Sequence, residues 1–311
     1  MVAVAVLLGG FALLLAWPIP VVLSRASWPA RSPAIALALW QAIALGGGLS
    51  MIGCLLVFGA SPAGSLLGAA EALLPHLFSG PIPREFGVIH LAALTLAAGL
   101  AVHLALNLAL TVVRAERERR RQHQLIDLLS DPMPGQPKTR VLAHPVPLAY
   151  CVPGLRTATV LTDGLIDALD DAELRAVIAH ERAHLDQLHH LVLLAFRAWH
   201  SALPWFPIAN RAERSVVVLT EMLADDRARR EASDDALRRA MLQVGSGGEP
   251  GAYADSGGVV PDVMMLEARL DRLGEPQQRP SPLTGTAVVW TAAVIVAVPI
   301  GALLATLGVF G

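Results

Sequence analysis

Ala172-Glu173-Leu174-Arg175-Ala176-Val177-Ile178-Ala179-His180-Glu181-Arg182-Ala183-His184 decides how this chain is read. The first eight residues favour a helix, and the last five spell H-E-x-x-H. Positions i and i+4 share one helix face, so both imidazoles point at the same spot. Two neutral His nitrogens with a carboxylate beside them are the donor set of a zinc site that deprotonates a water. Upstream, Asp170 and Glu173 form D-x-x-E, a variant of the capping box, so the helix is expected to start there. It is expected to run past His184 toward Ala202, where Pro204 and Pro207 stop it.

Catalytic zinc usually has three protein ligands and one open position. The candidate third ligand is Glu221, in Glu221-Met222-Leu223-Ala224-Asp225-Asp226 on a second helix expected over Ala209 to Arg230. Two helices joined by a short turn pack antiparallel, which would set Glu221 opposite His180 and His184. Asp225, one turn on, can accept a hydrogen bond from a ligand His and fix its tautomer. Glu181 is the candidate general base, taking a proton from the water and passing it to a leaving amine. This reading requires one Zn²⁺ per chain. The competing reading is a surface helix with two solvated His.

The remaining polar candidates say less. His189 and His190 stay open between polar surface, the favoured reading, and groups that support the ligands from behind. His200, before the Pro-rich bend, is a lesser candidate for an oxyanion contact. His90 and His103, with Asn107, fall in an apolar run, where polar groups face the bundle and hydrogen-bond. Cys151 reads as a small packed residue, and Cys54 lies in another apolar run, so no disulfide is expected.

Composition places this motif beside a bilayer. The 311 residues are 54% hydrophobic and only 16% charged, which leans away from a soluble protein. The apolar residues gather in four runs, Val2 to Leu23, Ala34 to Ala60, Gly87 to Val113 and Leu283 to Phe310. A membrane helix needs roughly 20 apolar residues, and each run meets that. No Lys or Arg precedes Arg25, so the first run reads as a retained helix rather than a signal peptide. Basic loops stay in the cytoplasm. Arg25 and Arg31 mark the first loop, and Arg114, Arg117, Arg119, Arg120 and Arg121 follow the third run. Both termini are then outside and everything from Arg114 to Ser281 is inside. Trp17, Trp28 and Trp40 are placed as an interfacial belt. Net charge is -2, which does not suggest nucleic-acid binding.

The expected organisation is therefore a membrane region over 1–113, a cytoplasmic domain over 114–281 and a fourth membrane helix over 282–311. The third helix is expected to continue to about Leu129, with a break over Asp131 to Pro137. Short β-type runs over Val141 to Leu161 suggest a hairpin around Pro153-Gly154, and Asp163-Gly164 ends its second strand. Gly245 to Pro261 is Gly-rich, a candidate autocleavage segment. Leu266 to Leu273 is a short helix.

Tyr150 to Leu185, together with the E-M-L-A-D-D segment and the three-plus-one arrangement of apolar runs, resembles the BlaR/MecR-type membrane metallopeptidases. The resemblance implies a mainly α chain with four transmembrane helices and a cytoplasmic α+β mini-gluzincin peptidase domain. It implies zinc on His180, His184 and Glu221, Glu181 as base, and Asp225 supporting His180. It also implies a sheet edge over the motif helix that takes a peptide as an added strand, formed by a segment near Tyr150 or Thr159. The substrate it implies is a BlaI/MecI-like transcriptional repressor or the protease itself. An HtpX-like quality-control peptidase and a catalytically silent membrane receptor are the alternatives. Antibiotic-sensing members carry a penicillin-binding domain after the fourth span, and no S-x-x-K module is seen here. A signal is then expected through the spans, the loop Ser61 to Phe86, or a partner.

Overall fold

The computed structural model describes residues 1–76, 80–136, 138–154, 156–204, 207–247, 263–274 and 282–308. Helices dominate. α1 (Val2–Ala16) and α2 (Pro18–Arg25) form one apolar rod that breaks at Trp17, where Pro18 cannot donate into the preceding turn. α3 (Trp28–Arg31) is a single turn before α4 (Pro33–Gly59), and α5 (Leu66–Leu73) lies in the next connection. α6 (Val88–Leu129) runs for 42 residues without a break, as the third apolar run and its charged extension anticipate.

Four strands follow: β1 (Ser130–Pro132), β2 (Thr139–Leu142), β3 (Ala149–Val152) and β4 (Ala158–Thr162). Their order is β1-β2-β4-β3. β3 and β4 form the expected antiparallel hairpin, while β2 pairs parallel to β4 and antiparallel to β1. β3 is thus an edge strand. α7 (Asp163–Ala168) starts directly from β4, with Thr162 as its N-cap. Gly164 is required there, because a Cβ would lie 2.0 Å from the Pro145 carbonyl oxygen.

α8 (Asp171–Asp186) carries H-E-x-x-H and starts in a full capping box between Asp170 and Glu173. It does not continue to Ala202. Leu188 takes a left-handed conformation, φ 53°, and a separate α9 (His189–Ala202) begins there. α10 (Pro207–Ala228) carries Glu221, and α11 (Asp234–Gly247) is a helix the sequence reading missed. Most of the Gly245 to Pro261 segment lies outside the described residues. α12 (Val263–Leu273) and α13 (Pro282–Thr306) complete the chain, with 309–311 outside the described residues. Leu161, Leu165, Val177 and Ile178 pack the sheet and α7 onto α8.

Four segments are long and apolar enough to cross a membrane: Val2–Arg25, Pro33–Gly59, Val88–Leu129 and Gly285–Thr306. They do not stand apart from the motif helices. Phe196 of α9 and Ala212, Val216 and Leu219 of α10 share one core with Leu15, Leu23, Leu37, Trp40, Ile43 and Ile295 of the spans. Trp40, expected in an interfacial belt, is 1% exposed inside this core, while Trp17 is 66% exposed. The α9–α10 hairpin is also held by polar contacts to α6. Asn107 Nδ2 donates to Ala198 O at 2.6 Å and to Ser201 Oγ at 2.8 Å, and His103 Nε2 lies 3.1 Å from Ala202 O. Both span residues hydrogen-bond within the bundle, as expected. His90 stacks on Phe58 instead, with ring centroids 5.3 Å apart.

Candidate metal centre

The H-E-x-x-H helix is fixed at its start by the capping box and by Arg239, whose Nε donates to Glu173 at 2.6 Å. That anchors α8 against α11 and sets the phase of its buried face. His180 and Glu181 lie on that face, 9% and 7% exposed. α10 packs across α8 and brings in Glu221.

His180, His184 and Glu221 converge. The two Nε2 atoms are 3.1 Å apart, His180 Nε2 is 3.4 Å from Glu221 Oε2, and His184 Nε2 is 3.3 Å from Glu221 Oε1. The test of fit is the donor spacing. A tetrahedral zinc with bonds of about 2.0 Å needs donors roughly 3.3 Å apart. The two imidazoles meet that, and each lies at that spacing from one Glu221 oxygen, His180 from Oε2 and His184 from Oε1. One ligand atom from each of the three residues lies within 4.8 Å of the others. The sequence therefore picked three residues that the fold does bring together.

Each imidazole is held from behind. His180 Nδ1 lies 2.9 Å from Asp225 Oδ1, an ion-pair contact that sits off the line along which a ring N–H would donate. His184 Nδ1 lies 2.9 Å from His189 Nδ1, whose Nε2 reaches Gln187 Oε1 at 2.9 Å. His189 is 2% exposed, so of its two readings it takes the support of a ligand rather than the favoured surface place. The reason is the break at Leu188, which turns the start of α9 inward. His190 is half-buried beside it, and His200 is elsewhere, bonded to Glu213. Glu213 precedes Glu221 by eight residues, about 12 Å along the helix. His200 therefore does not serve this centre.

Two further residues were not anticipated here. Arg269 of α12 pairs bidentately with Asp225 at 2.7 and 2.8 Å, and its Nη1 lies 2.9 Å from Glu221 Oε2. Cys151, on the edge strand β3, faces Glu181. Burial first, then the charge and hydrogen bond of Glu181, push its thiol well above the usual range.

The electrostatics follow from these contacts. Burial alone would raise the Glu221 carboxyl, but Arg269 and then His184 pull it well below the ordinary value. Asp225 is lowered in the same way, against burial, chiefly by Arg269. His180 is pushed up to about 10: burial opposes its charge, and Asp225 and Glu221 override that. His189 falls to about 3, through burial and then the neighbouring His184. It stays neutral and can accept from a ligand His.

Residues 113–223 match Peptidase family M48, whose members are zinc-dependent. The matched stretch contains His180, Glu181, His184 and Glu221 and stops short of Asp225 and α12. No curated protein and no solved structure matches the chain. The match supports a membrane-type zinc metallopeptidase without distinguishing the BlaR/MecR type.

Proposed function

We propose that the chain is a membrane-anchored zinc metalloendopeptidase, with His180, His184 and Glu221 holding the metal and Glu181 as general base. The single observation that carries this is the convergence of the three donors at zinc spacing with Glu181 buried beside them. When bound, zinc supplies a Lewis acid for the scissile carbonyl and lowers the pKa of a water. Glu181 takes the proton from the attacking water and delivers it to the leaving amine. Asp225 and His189 hold the two imidazoles with Nε2 forward. β3 packs on α8, and its outer edge, which pairs with no strand among the described residues, is available to an extended substrate. Of the two segments the resemblance left open, the one around Tyr150 is the edge, since the Thr159 strand is paired on both sides.

The span arrangement supports a regulatory peptidase acting on a BlaI/MecI-like repressor or on itself. A second reading, an HtpX-like peptidase of membrane proteins, is favoured by where the site sits. Arg272 donates to Ala30 O, in the connection between the first two spans, at 2.7 Å and to Met222 O at 3.2 Å. Met222 follows the ligand Glu221, so the site lies at the end of the bundle. His103, which meets Ala202 at the end of α9, precedes Arg114 by 11 residues, about 16 Å of helix; with a membrane face at Arg114, that end of α9 would lie about half way into a bilayer. The spans would then place the peptidase segment on the cytoplasmic side with both termini outside.

The test is cleavage of one reporter peptide presented two ways, soluble and fused beside a membrane helix in the same vesicles. Site-proximal membrane substrates predict that the anchored form is cut at least about tenfold faster. Equal rates would favour a soluble repressor. No cleavage of either by zinc-loaded protein would remove the peptidase reading.

A further inference from the structure

We propose that Arg269 is a positioning residue that confines Glu221 to one oxygen toward the metal and so keeps a coordination position open. The proposal rests on the reading that His180, His184 and Glu221 hold zinc. It concerns a residue far outside the stretch that matches the peptidase family.

Arg269 is 9% exposed, and its guanidinium spans two carboxylates one helical turn apart. Nε and Nη2 grip both oxygens of Asp225, and Nη1 takes Oε2 of Glu221 at 2.9 Å. Only a planar fork with several fixed donors can do both at once. A metal-binding carboxylate can use one oxygen or two, and using two consumes a position. Both Glu221 oxygens face the imidazoles, Oε2 3.4 Å from His180 Nε2 and Oε1 3.3 Å from His184 Nε2; with Oε2 held by Arg269 at 2.9 Å, Oε1 is the oxygen left for the metal. The same arginine holds Asp225 behind His180. One side chain thus sets two of the three ligands.

A purely structural role is the competing explanation, because α12 is also a packing element. Leu266, Leu270 and Leu273 pack on Ala176 and Ala179 of α8 and on Leu237 and Met241 of α11. Arg272 clamps the same helix to Asp226 at 2.6 Å without touching a ligand. The two arginines therefore separate holding the helix from holding the ligands.

The experiment uses full-length protein in detergent, loaded with cobalt(II) in place of zinc, as wild type, Arg269→Gln, Arg269→Lys and Arg272→Gln. Wild type and Arg272→Gln should give the intense visible bands of a four-coordinate ion. Arg269→Gln should lose that intensity, and its zinc form should lose kcat by about 10–100-fold with KM little changed. Arg269→Lys keeps the charge, and so the fold, but cannot bridge both acids, so it should show the same loss of band intensity. Wild-type bands and kcat in both Arg269 variants would overturn the proposal, as would an equal loss in Arg272→Gln. Wild-type protein that takes up no cobalt would instead overturn the metal assignment on which the proposal rests.

Discussion

Replacing Gly48 with Ala tests whether the α9–α10 hairpin is seated among the spans. A Cβ at Gly48 would stand 2.8 Å from Trp199 Cη2 and 3.2 Å from Cζ3, too close for either. The indole has little freedom to retreat, because Ala198 and Ala202 on either side are tied to Asn107 and His103. Overpacking of this kind costs about 1–3 kcal/mol. Gly to Ala in a helix also returns about 1 kcal/mol of propensity, which would mask part of the loss. Gly47→Ala supplies the control. Its Cβ would be 3.7 Å from Leu15 Cβ, an ordinary contact, and it gains the same propensity. The difference between the two variants is then the clash alone, about 1–3 kcal/mol. At about 2–4 °C per kcal/mol, Gly48→Ala should melt roughly 2–12 °C below Gly47→Ala. Thermal unfolding of both in one detergent, followed by tryptophan fluorescence, reads this directly. Equal melting temperatures would refute the packing of Trp199 on span residue 48.

Asp225→Ala should destabilise chelator-treated protein by about 1–3 kcal/mol, since it removes the acceptor of Arg269 Nε and Nη2 in a buried site while Glu221 still offsets the charge. Denaturant unfolding of the metal-free protein measures this, and a loss below 1 kcal/mol would contradict the buried pair. His189→Ala should weaken zinc binding by about 10–100-fold in competition with a chelator, because His184 loses the acceptor behind it. Unchanged affinity would make His189 a packing residue only. Burial and the nearby Glu181 hold the Cys151 thiol protonated, so iodoacetamide should leave it unmodified at pH 8 and still at pH 9, while unfolded chain is labelled. Mass spectrometry giving full labelling of folded protein at pH 8 would be inconsistent with that environment.

Much of the centre is legible in sequence because it is local. The i, i+4 spacing of His180 and His184, the same spacing of Glu221 and Asp225, and the Asp170 cap each lie within one or two helical turns. The β3–β4 hairpin is marked by its Pro153-Gly154 turn. What escaped was either unmarked or distant. Leu188 adopts a left-handed conformation with no Gly or Asn to signal it, so α8 and α9 read as one helix, on which surface outweighs a place behind the ligands for His189. Arg269 meets Asp225 across 44 residues, and a long-range ion pair leaves no local pattern. α9 has 14 residues, too short to count as a span, so its place between the spans is invisible to a length rule. Trp40 shows the same limit: its position near a helix end suggested an interface, but α10 packs there and buries it.

The most direct test of the central claim is peptide cleavage by wild-type and Glu181→Ala proteins brought to equal zinc content. Glu181 is not one of the three metal donors, so its loss should spare the metal and remove the base. The account predicts near-stoichiometric zinc in both and cleavage in wild type alone. Equal cleavage by the two proteins, or wild-type protein that cannot retain zinc, would contradict it.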